Sequence, residues 1–255
     1  MAPDATTIPD LGTLLTVWAH PDDETYLAGG LMAAAVDAGR RVVCACATAG
    51  EHGTDDPIAW PPERLARVRR WEAAAAMAVL GVDDHRWLGL PDGGLAALDP
   101  APQVERLVRL IEEVQPDTIV TFAPDGATFH PDHQAVSRWV TEAWERTWRR
   151  ARLLQAAITE DHQRRWGDVY ESWGIYMADE RPVPLPEAEL AVHVVLDGAD
   201  LDRKVAALGA MATQVGPAVA SVGEATFRAL NAEEMFVEVD ATRPDAGVPA
   251  ATVAG

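Results

Sequence analysis

Two patterns of apolar and polar positions alternate along the chain. Short apolar runs rich in β-branched residues, typical of buried strands, are followed by longer stretches in which apolar residues recur every three or four positions, as on one face of a helix. This alternation predicts an α/β fold with a mostly parallel sheet flanked by helices. The predicted strands are 14–19, 41–47, 85–88, 117–122, 153–158, 190–196 and 234–239.

Glycine and proline mark the boundaries of the predicted helices. Pro61 and Pro62 begin a long helix that Gly81 ends, and Gly39 ends the first helix. Beyond residue 150 the pattern is less regular; it predicts one helix over 201–214 and an edge strand over 234–239. We expect a single domain over residues 1–240. The Ala-, Gly- and Pro-rich segment 241–255 is predicted to be a disordered tail.

Charge and cysteine content narrow the class of protein. Lys and Arg number 21 and Asp and Glu 40, a net charge of −19, which argues against nucleic-acid and anionic-membrane partners. The sequence has no apolar run of transmembrane length and no signal-peptide pattern, so we expect a cytoplasmic protein. Cys44 and Cys46 alternate within one predicted strand, which indicates small core residues rather than a disulfide.

The first chemical motif follows the first predicted strand. His20-Pro21-Asp22-Asp23-Glu24 lies where Pro21 ends the strand and a helix begins. In an open α/β sheet, ligands bind at the carboxyl ends of strands. So many ionisable groups beside a buried strand are costly unless something binds them, and a metal ion is the usual ligand.

A second motif, His130-Pro131-Asp132-His133, follows the fourth predicted strand. His130 and His133 are three residues apart at a helix start, as are His20 and Asp23, so each pair can face one way. Two histidines and a carboxylate suit a zinc ion with a fourth position open for water, as catalytic sites require. Spacing alone leaves open which carboxylate is the ligand.

Together these motifs resemble the LmbE-like, or PIG-L, family of zinc-dependent de-N-acetylases. The resemblance is strong over residues 14–140 and thin afterwards. Further matching segments are Gly29-Gly30, Thr48-x-Gly50-Glu51-x-Gly53, Arg69-x-x-Glu72, Leu80-Gly81-Val82 and Leu88-Gly89-x-Pro91-Asp92-Gly93. The chain departs from the family pattern at Phe129 and Thr128, where many members have Gly and Tyr, and at Met211, where a His is common.

The resemblance implies a Rossmann-like fold, one zinc ion per chain and three groups of site residues. The implied metal ligands are His20, Asp23 and His133. The implied catalytic residues are Asp22 as general base, His130 as a charged stabiliser of the oxyanion, and Asp132, hydrogen-bonded to His130 to keep it charged. The implied substrate-binding residues are Arg69, Asp92 and Glu51, with Arg69 and Asp92 contacting the sugar.

The function expected from this resemblance is removal of an acetyl group from an N-acetylated sugar or a sugar-containing small molecule, with a zinc-activated water attacking the amide. An amidase that cleaves thiol S-conjugates is an alternative. A metal-dependent phosphoesterase is a weaker one, because two-metal clamps need more ligands than the sequence offers. A non-catalytic nucleotide-binding module is a third possibility, but this chain lacks the G-x-G-x-x-G motif after its first predicted strand. The sequence leaves open whether the protein forms a homo-oligomer.

Overall fold

A seven-stranded sheet organises the described part of the chain. The computed structural model describes residues 9–242. Its strands lie in the order β3-β2-β1-β4-β5-β7-β6. The strands are β1 (Leu14–Trp18), β2 (Val42–Cys46), β3 (Asp84–Trp87), β4 (Thr118–Phe122), β5 (Arg152–Ala156), β6 (Val192–Val195) and β7 (Glu233–Glu238).

Helices connect the strands, with short 3-10 turns at Leu95–Ala97 and Glu187–Glu189. The helices are α1 (Asp23–Asp37), α2 (Pro62–Leu80), α3 (Pro100–Val114), α4 (Pro131–Arg146), α5 (Glu160–Trp173), α6 (Gly198–Gly209), α7 (Ala212–Val222) and α8 (Glu224–Leu230). The predicted mostly parallel sheet flanked by helices is confirmed. The first five strands pair in parallel, whereas β7 pairs antiparallel with both β5 and β6.

The central strands are mostly apolar and are buried on both faces; Thr16, Thr118 and Thr121 are polar but also buried. Every residue of β1, β2 and β4 is buried. The strand order reverses at β1, which has β2 on one side and β4 on the other. Such a switch point leaves a crevice outside the carboxyl ends of the two strands. The loops that carry both predicted motifs leave β1 and β4 at this crevice.

Two predictions for the C-terminal part were wrong. The strand predicted at the sheet edge is β7, which lies between β5 and β6. The helix predicted over 201–214 is two helices, α6 and α7, because the chain bends by 116° between them. Apolar periodicity continues across the bend to the buried Met211 and Val215, so the sequence pattern alone does not show it. Residues 243–255 of the predicted tail lie outside the described residues.

Two further sequence predictions concern the core and membranes. Cys44 and Cys46 are both free and buried, as predicted. No single helix among residues 9–242 is long and apolar enough to cross a membrane; only the bent α6–α7 pair, taken together, reaches that length and composition. The single-domain boundary stays a prediction.

Candidate functional site

Three side chains converge at the crevice between β1 and β4. Nδ1 of His20 lies 3.1 Å from Nε2 of His133. The carboxylate of Asp23 places Oδ2 3.5 Å from His20 Nδ1 and Oδ1 3.4 Å from His133 Nε2. Ligand atoms bound 2.0–2.1 Å from one tetrahedral metal ion lie about 3.3 Å apart. These residues therefore have the spacing of a three-ligand metal site.

The orientation of each of these ligands is fixed by a second contact. His133 Nδ1 is 2.9 Å from the carbonyl oxygen of Gly126, and Asp23 Oδ2 accepts a hydrogen bond from the backbone N–H of His20 at 2.8 Å. On the far side of the His20 ring, Nε2 lies 3.0 Å from Oδ1 of Asp92. Such outer contacts set the tautomer of a metal-bound imidazole and hold its ring in place.

The charges around His20 favour a cation. Burial alone would lower the pKa of His20, but Asp132, Asp23 and Asp92 together raise it well above its ordinary value. The pKa of Asp23 is lowered even though burial opposes this, because His133 and His20 stabilise its charge. A positive charge among these carboxylates, whether a proton or a metal ion, is strongly stabilised.

His130 lies beside this set, and its ring nitrogen is within 4.8 Å of the nitrogens of His20 and His133. Its Nδ1 accepts a hydrogen bond from the backbone N–H of Asp132, so Nε2 carries the proton. Burial, together with the neighbouring His20 and His133, lowers the pKa of His130 to about 4. This direction favours a neutral imidazole at pH 7 over the charged one that the resemblance implies. The role of His130 stays a prediction.

Asp132 is fully buried but does not make the expected hydrogen bond to His130. Its carboxylate accepts hydrogen bonds from the backbone N–H groups of Gly93 and Leu95, at 2.8 and 2.9 Å. Asp132 is the second residue of α4, and this position points its side chain toward the 93–95 turn rather than back to the helix cap. It therefore fixes that turn against the second motif.

Asp22 immediately precedes a predicted ligand and has a strained backbone. Its φ of 118° lies in the region that non-glycine residues rarely adopt. Glu24, fully buried, accepts the Asp22 N–H at 3.0 Å, and Arg69 lies 3.3 Å from Asp22 Oδ2. Burial raises the pKa of Asp22 to about 7, although Arg69 opposes the shift. A carboxylate with this pKa is suited to accept a proton near neutral pH.

The predicted substrate-binding residues lie together around Asp22 and His20. Arg69 is only 4% exposed, so it is neither a surface charge nor freely accessible. It donates hydrogen bonds to the carbonyl oxygens of Gly50, at 2.7 Å, and Pro21. Gly50 needs to be glycine here, because its φ is +63° and a Cβ would clash with this guanidinium. Arg69 therefore fastens the glycine-rich loop to the first motif.

Asp92 and Glu51 join the neighbouring loops. Asp92 Oδ2 accepts the backbone N–H of His52 at 2.8 Å, and Glu51 accepts the backbone N–H of Asp92 at 3.1 Å. The structure thus brings all of the predicted site residues into one region. Their roles toward a substrate stay predictions.

Sequence reasoning missed a buried ion pair behind this region. Lys204 on α6 and Glu234 on β7 are 2.8 Å apart, and both side chains are 0% exposed. Lys204 donates to the carbonyl oxygen of Tyr26, and Glu234 accepts the N–H groups of Gly30 and Leu31 in α1. No pattern in the sequence identifies this pair, because charged residues at helix and strand positions ordinarily face solvent.

A cavity of about 620 Å³ begins at Asp23 and His133. Its walls come from the ends of β4 and β5, from α7 and β7, and from the segment 172–185. This segment is held at the site because the N–H of Met177 donates to the carbonyl of Thr128 at 2.9 Å. The cavity walls are largely apolar and aromatic.

Comparisons with known proteins match most of this chain. Residues 15–144 match the family model described as "PIG-L: GlcNAc-PI de-N-acetylase". The chain is 31% identical over 253 residues to a 1D-myo-inositol 2-acetamido-2-deoxy-alpha-D-glucopyranoside deacetylase of Saccharomonospora viridis, covering 88% of this chain and 94% of that one. The protein of the same name from Kineococcus radiotolerans is 32% identical over 247 residues, covering 79% and 68%.

A solved structure extends the likeness of fold across most of the chain. The N,N'-diacetylchitobiose deacetylase of Pyrococcus horikoshii superposes with a TM-score of 0.66, covering 91% of this chain and 85% of that one. At 21% sequence identity this match shows the fold alone.

Proposed function

The chain belongs to the PIG-L family of GlcNAc-PI de-N-acetylases, and from this premise we propose that it hydrolyses the acetamide of an N-acetylglucosamine-type sugar within a small molecule. The named relatives, which act on an acetamido-glucosyl inositol, support this substrate class. The observation that carries the proposal is the spacing of His20, Asp23 and His133, which suits one metal ion bound next to a carboxylate of raised pKa.

We propose zinc as the metal, because two imidazoles and one carboxylate are a common zinc donor set with a position left open. When bound there, zinc would polarise the amide carbonyl and lower the pKa of water. The ligands would be His20 Nδ1, Asp23 and His133 Nε2, each oriented by the contacts described above.

Asp22 would act as the general base. Its pKa is raised to about 7, so near neutral pH it would be able both to accept the proton of the attacking water and to return it to the departing amine. Water oxygen bonds to the carbonyl carbon, the C–N bond breaks, and acetate and a free amino sugar leave. The strained backbone of Asp22, held by Glu24 and Arg69, keeps its carboxylate at the site.

His130 would stabilise the developing charge. Its neutral ring donates from Nε2, and such a donor aimed at the carbonyl oxygen strengthens its hydrogen bond as that oxygen becomes negative. Asp92 and Glu51 would position the sugar side through the loops that they join. Arg69 would hold the Gly50 loop and Asp22 in place.

Paired measurements on single variants test this proposal. His20→Ala, Asp23→Ala and His133→Ala should each lose most zinc in elemental analysis, whereas wild type binds close to one ion per chain. Asp22→Asn should keep its zinc but lose 10²- to 10⁴-fold in kcat on an acetylglucosaminyl-inositol, the usual contribution of a positioned base. Asp55→Asn, the same change at an exposed carboxylate, is the matched control.

Two results would contradict these assignments. Near-full zinc in one of the alanine variants removes that residue from the ligand set. Zinc content that falls together with activity in Asp22→Asn makes Asp22 a ligand rather than the base.

A further inference from the structure

The cavity described above is the open space that two of the proposed metal ligands face. Asp23 and His133 both line it. Elsewhere around these ligands, the side chains of Asp92 and Arg69 are only 7% and 4% exposed and bind other groups of the protein. That part of the site is closed to a bulky group. A molecule whose amide lies at the metal ligands therefore extends from them into the cavity.

The cavity has room for much more than an acetamide. Its volume is about 620 Å³, within the size range of pockets that enclose a drug-sized molecule. One water molecule takes a share of about 30 Å³ of the liquid, so an acetamide, with only a few non-hydrogen atoms, fills a small part of this space. The remaining volume suits a sugar ring and the group joined to it, the aglycone.

The walls of the cavity are chiefly aromatic and aliphatic. The rings of Tyr170 and Trp173 meet edge to face, with centroids 6.3 Å apart. Aliphatic side chains from three other segments complete this surface: Leu27, Ile158 and Leu185. Apolar surface that moves from water to such walls is stabilised in proportion to its area. The cavity therefore favours an apolar occupant.

Several polar side chains of the wall already bind other groups of the protein. Glu234 is paired with Lys204 at 2.8 Å, and Glu233 accepts a hydrogen bond from Arg165 at 2.6 Å. The Asn231 amide donates to a backbone carbonyl one helical turn earlier. An inositol ring carries a hydroxyl on every carbon, and a hydroxyl buried without a hydrogen bond loses its hydration uncompensated. A polyol is therefore a poorer occupant of this cavity than an apolar ring.

We propose that the substrate is a glycoside of N-acetylglucosamine with an apolar aglycone, and that this aglycone occupies the cavity. This inference rests on the proposed deacetylation and names the part of the substrate beyond the sugar. Water adds across the amide C–N bond, and the products are acetate and the free amino glycoside. The glycosidic bond stays intact, so the aglycone contributes binding and takes no part in the chemistry.

Two aglycones of one ring size test the proposal. The zinc-loaded protein is given the methyl, cyclohexyl and inosityl α-glycosides of N-acetylglucosamine, and released acetate is measured. Cyclohexyl and inosityl share a six-carbon ring and differ only in hydroxyl groups. Burial of one methylene raises affinity by about threefold to fourfold, so kcat/KM should rise by tenfold or more from methyl to cyclohexyl. The cyclohexyl glycoside should also exceed the inosityl glycoside by tenfold or more.

A cavity-filling variant links this preference to the cavity. Ala218 lines the cavity from α7 and is partly buried. Ala218→Trp should lower the cyclohexyl-to-methyl ratio of kcat/KM by tenfold or more. Ala75→Trp, on the exposed face of α2, is the matched control and should keep the wild-type ratio.

A second variant covers the case in which Ala218→Trp does not fold. Val183 lines the cavity and is 78% exposed, so Val183→Asp places a charge at the cavity mouth with little cost to the fold. It should lower the cyclohexyl-to-methyl ratio threefold or more. Val195→Asp, the same change at an exposed valine of β6, should leave the ratio unchanged.

Different failures have different meanings. Acetate release from the inosityl glycoside that equals or exceeds release from the cyclohexyl glycoside overturns the apolar aglycone and leaves the proposed deacetylation intact. A cyclohexyl preference that both cavity variants retain overturns the assignment to this cavity. Failure to release acetate from any of the glycosides overturns the proposed function and this inference with it.

Discussion

Removal of Lys204 should destabilise the whole fold, although this residue is remote from the proposed chemistry. The change considered is Lys204→Met, which keeps most of the side-chain volume but removes the ammonium. Lys204 is fully buried between the carboxylate of Glu234 and the carbonyl oxygen of Tyr26, each 2.8 Å from Nζ. In the variant, the Glu234 carboxylate and the Tyr26 carbonyl oxygen remain buried but have lost the ammonium that they bind.

The expected loss follows from that burial. Removing one partner of a buried ion pair costs about 3–5 kcal/mol, because the other charge is left uncompensated in a low dielectric. The two backbone N–H groups of α1 that donate to Glu234 soften this penalty, so we expect the lower half of the range. For a domain of this size each kcal/mol lowers Tm by about 2–4 °C, which gives a decrease of about 6–16 °C.

Urea denaturation followed by circular dichroism measures the free energy of unfolding directly. Asp202→Ala is the control, because its pair with Arg228 joins side chains that are 68% and 37% exposed, and exposed pairs contribute about 0–1 kcal/mol. The double variant Lys204→Met/Glu234→Gln should recover about 1 kcal/mol or more relative to Lys204→Met. A loss below about 1 kcal/mol in Lys204→Met, or no recovery in the double variant, would refute the reasoning.

Three other changes have defined outcomes. Gly126→Ala should weaken zinc binding by tenfold or more in metal-competition titrations, because φ is +68° and a Cβ would lie 2.7 Å from His133 Cβ; wild-type affinity would contradict this. Arg69→Lys should lower kcat/KM by an amount equivalent to about 1.5–3 kcal/mol of transition-state stabilisation, the contribution of hydrogen bonds to a charged group. Because the guanidinium shapes the site, the loss should be equal for an N-acetyl sugar and an acyclic N-acetyl amine. A loss confined to the sugar would instead assign Arg69 to sugar binding. Glu233 raises the pKa of His193, so the stability gained from the charged imidazole is present below about pH 6.5 and disappears as pH rises through the raised folded-state pKa. Urea titrations of His193→Gln should lack this decline in the free energy of unfolding, and an identical decline would exclude His193 as its source.

The sequence predicted the elements around the site well, because local signals and tertiary packing agree there. The mostly apolar runs of β1 and β4 favour strands that are covered on both faces, and Pro21 and Pro131 lie close to the first residues of the following helices. Once the strands are parallel and adjacent, their carboxyl ends must bring His20 and His133 together.

The parts that failed depend on information that is not local. β7 was predicted at the sheet edge but lies inside the sheet. Its Glu234 can be buried because it pairs with Lys204 and accepts the N–H groups of Gly30 and Leu31, all of which are distant in the sequence. The partner of Asp132 could not be read from spacing either, because it is set by the 93–95 turn, which lies far away in the sequence.

The position of β7 has a consequence for the order in which the protein is built. During synthesis β1 to β6 precede β7. The free edge of β5 pairs with β7, and β7 is also the strand with which β6 pairs. Until residues 233–238 emerge, the nascent sheet carries an open edge, the kind of surface on which chains aggregate. The helix that begins at Asp23 is held by Glu234, which lies on the last strand among residues 9–242. Formation of the candidate metal site is thus coupled to the synthesis of β7, and removal of β7 would affect both the sheet edge and the helix that begins at Asp23.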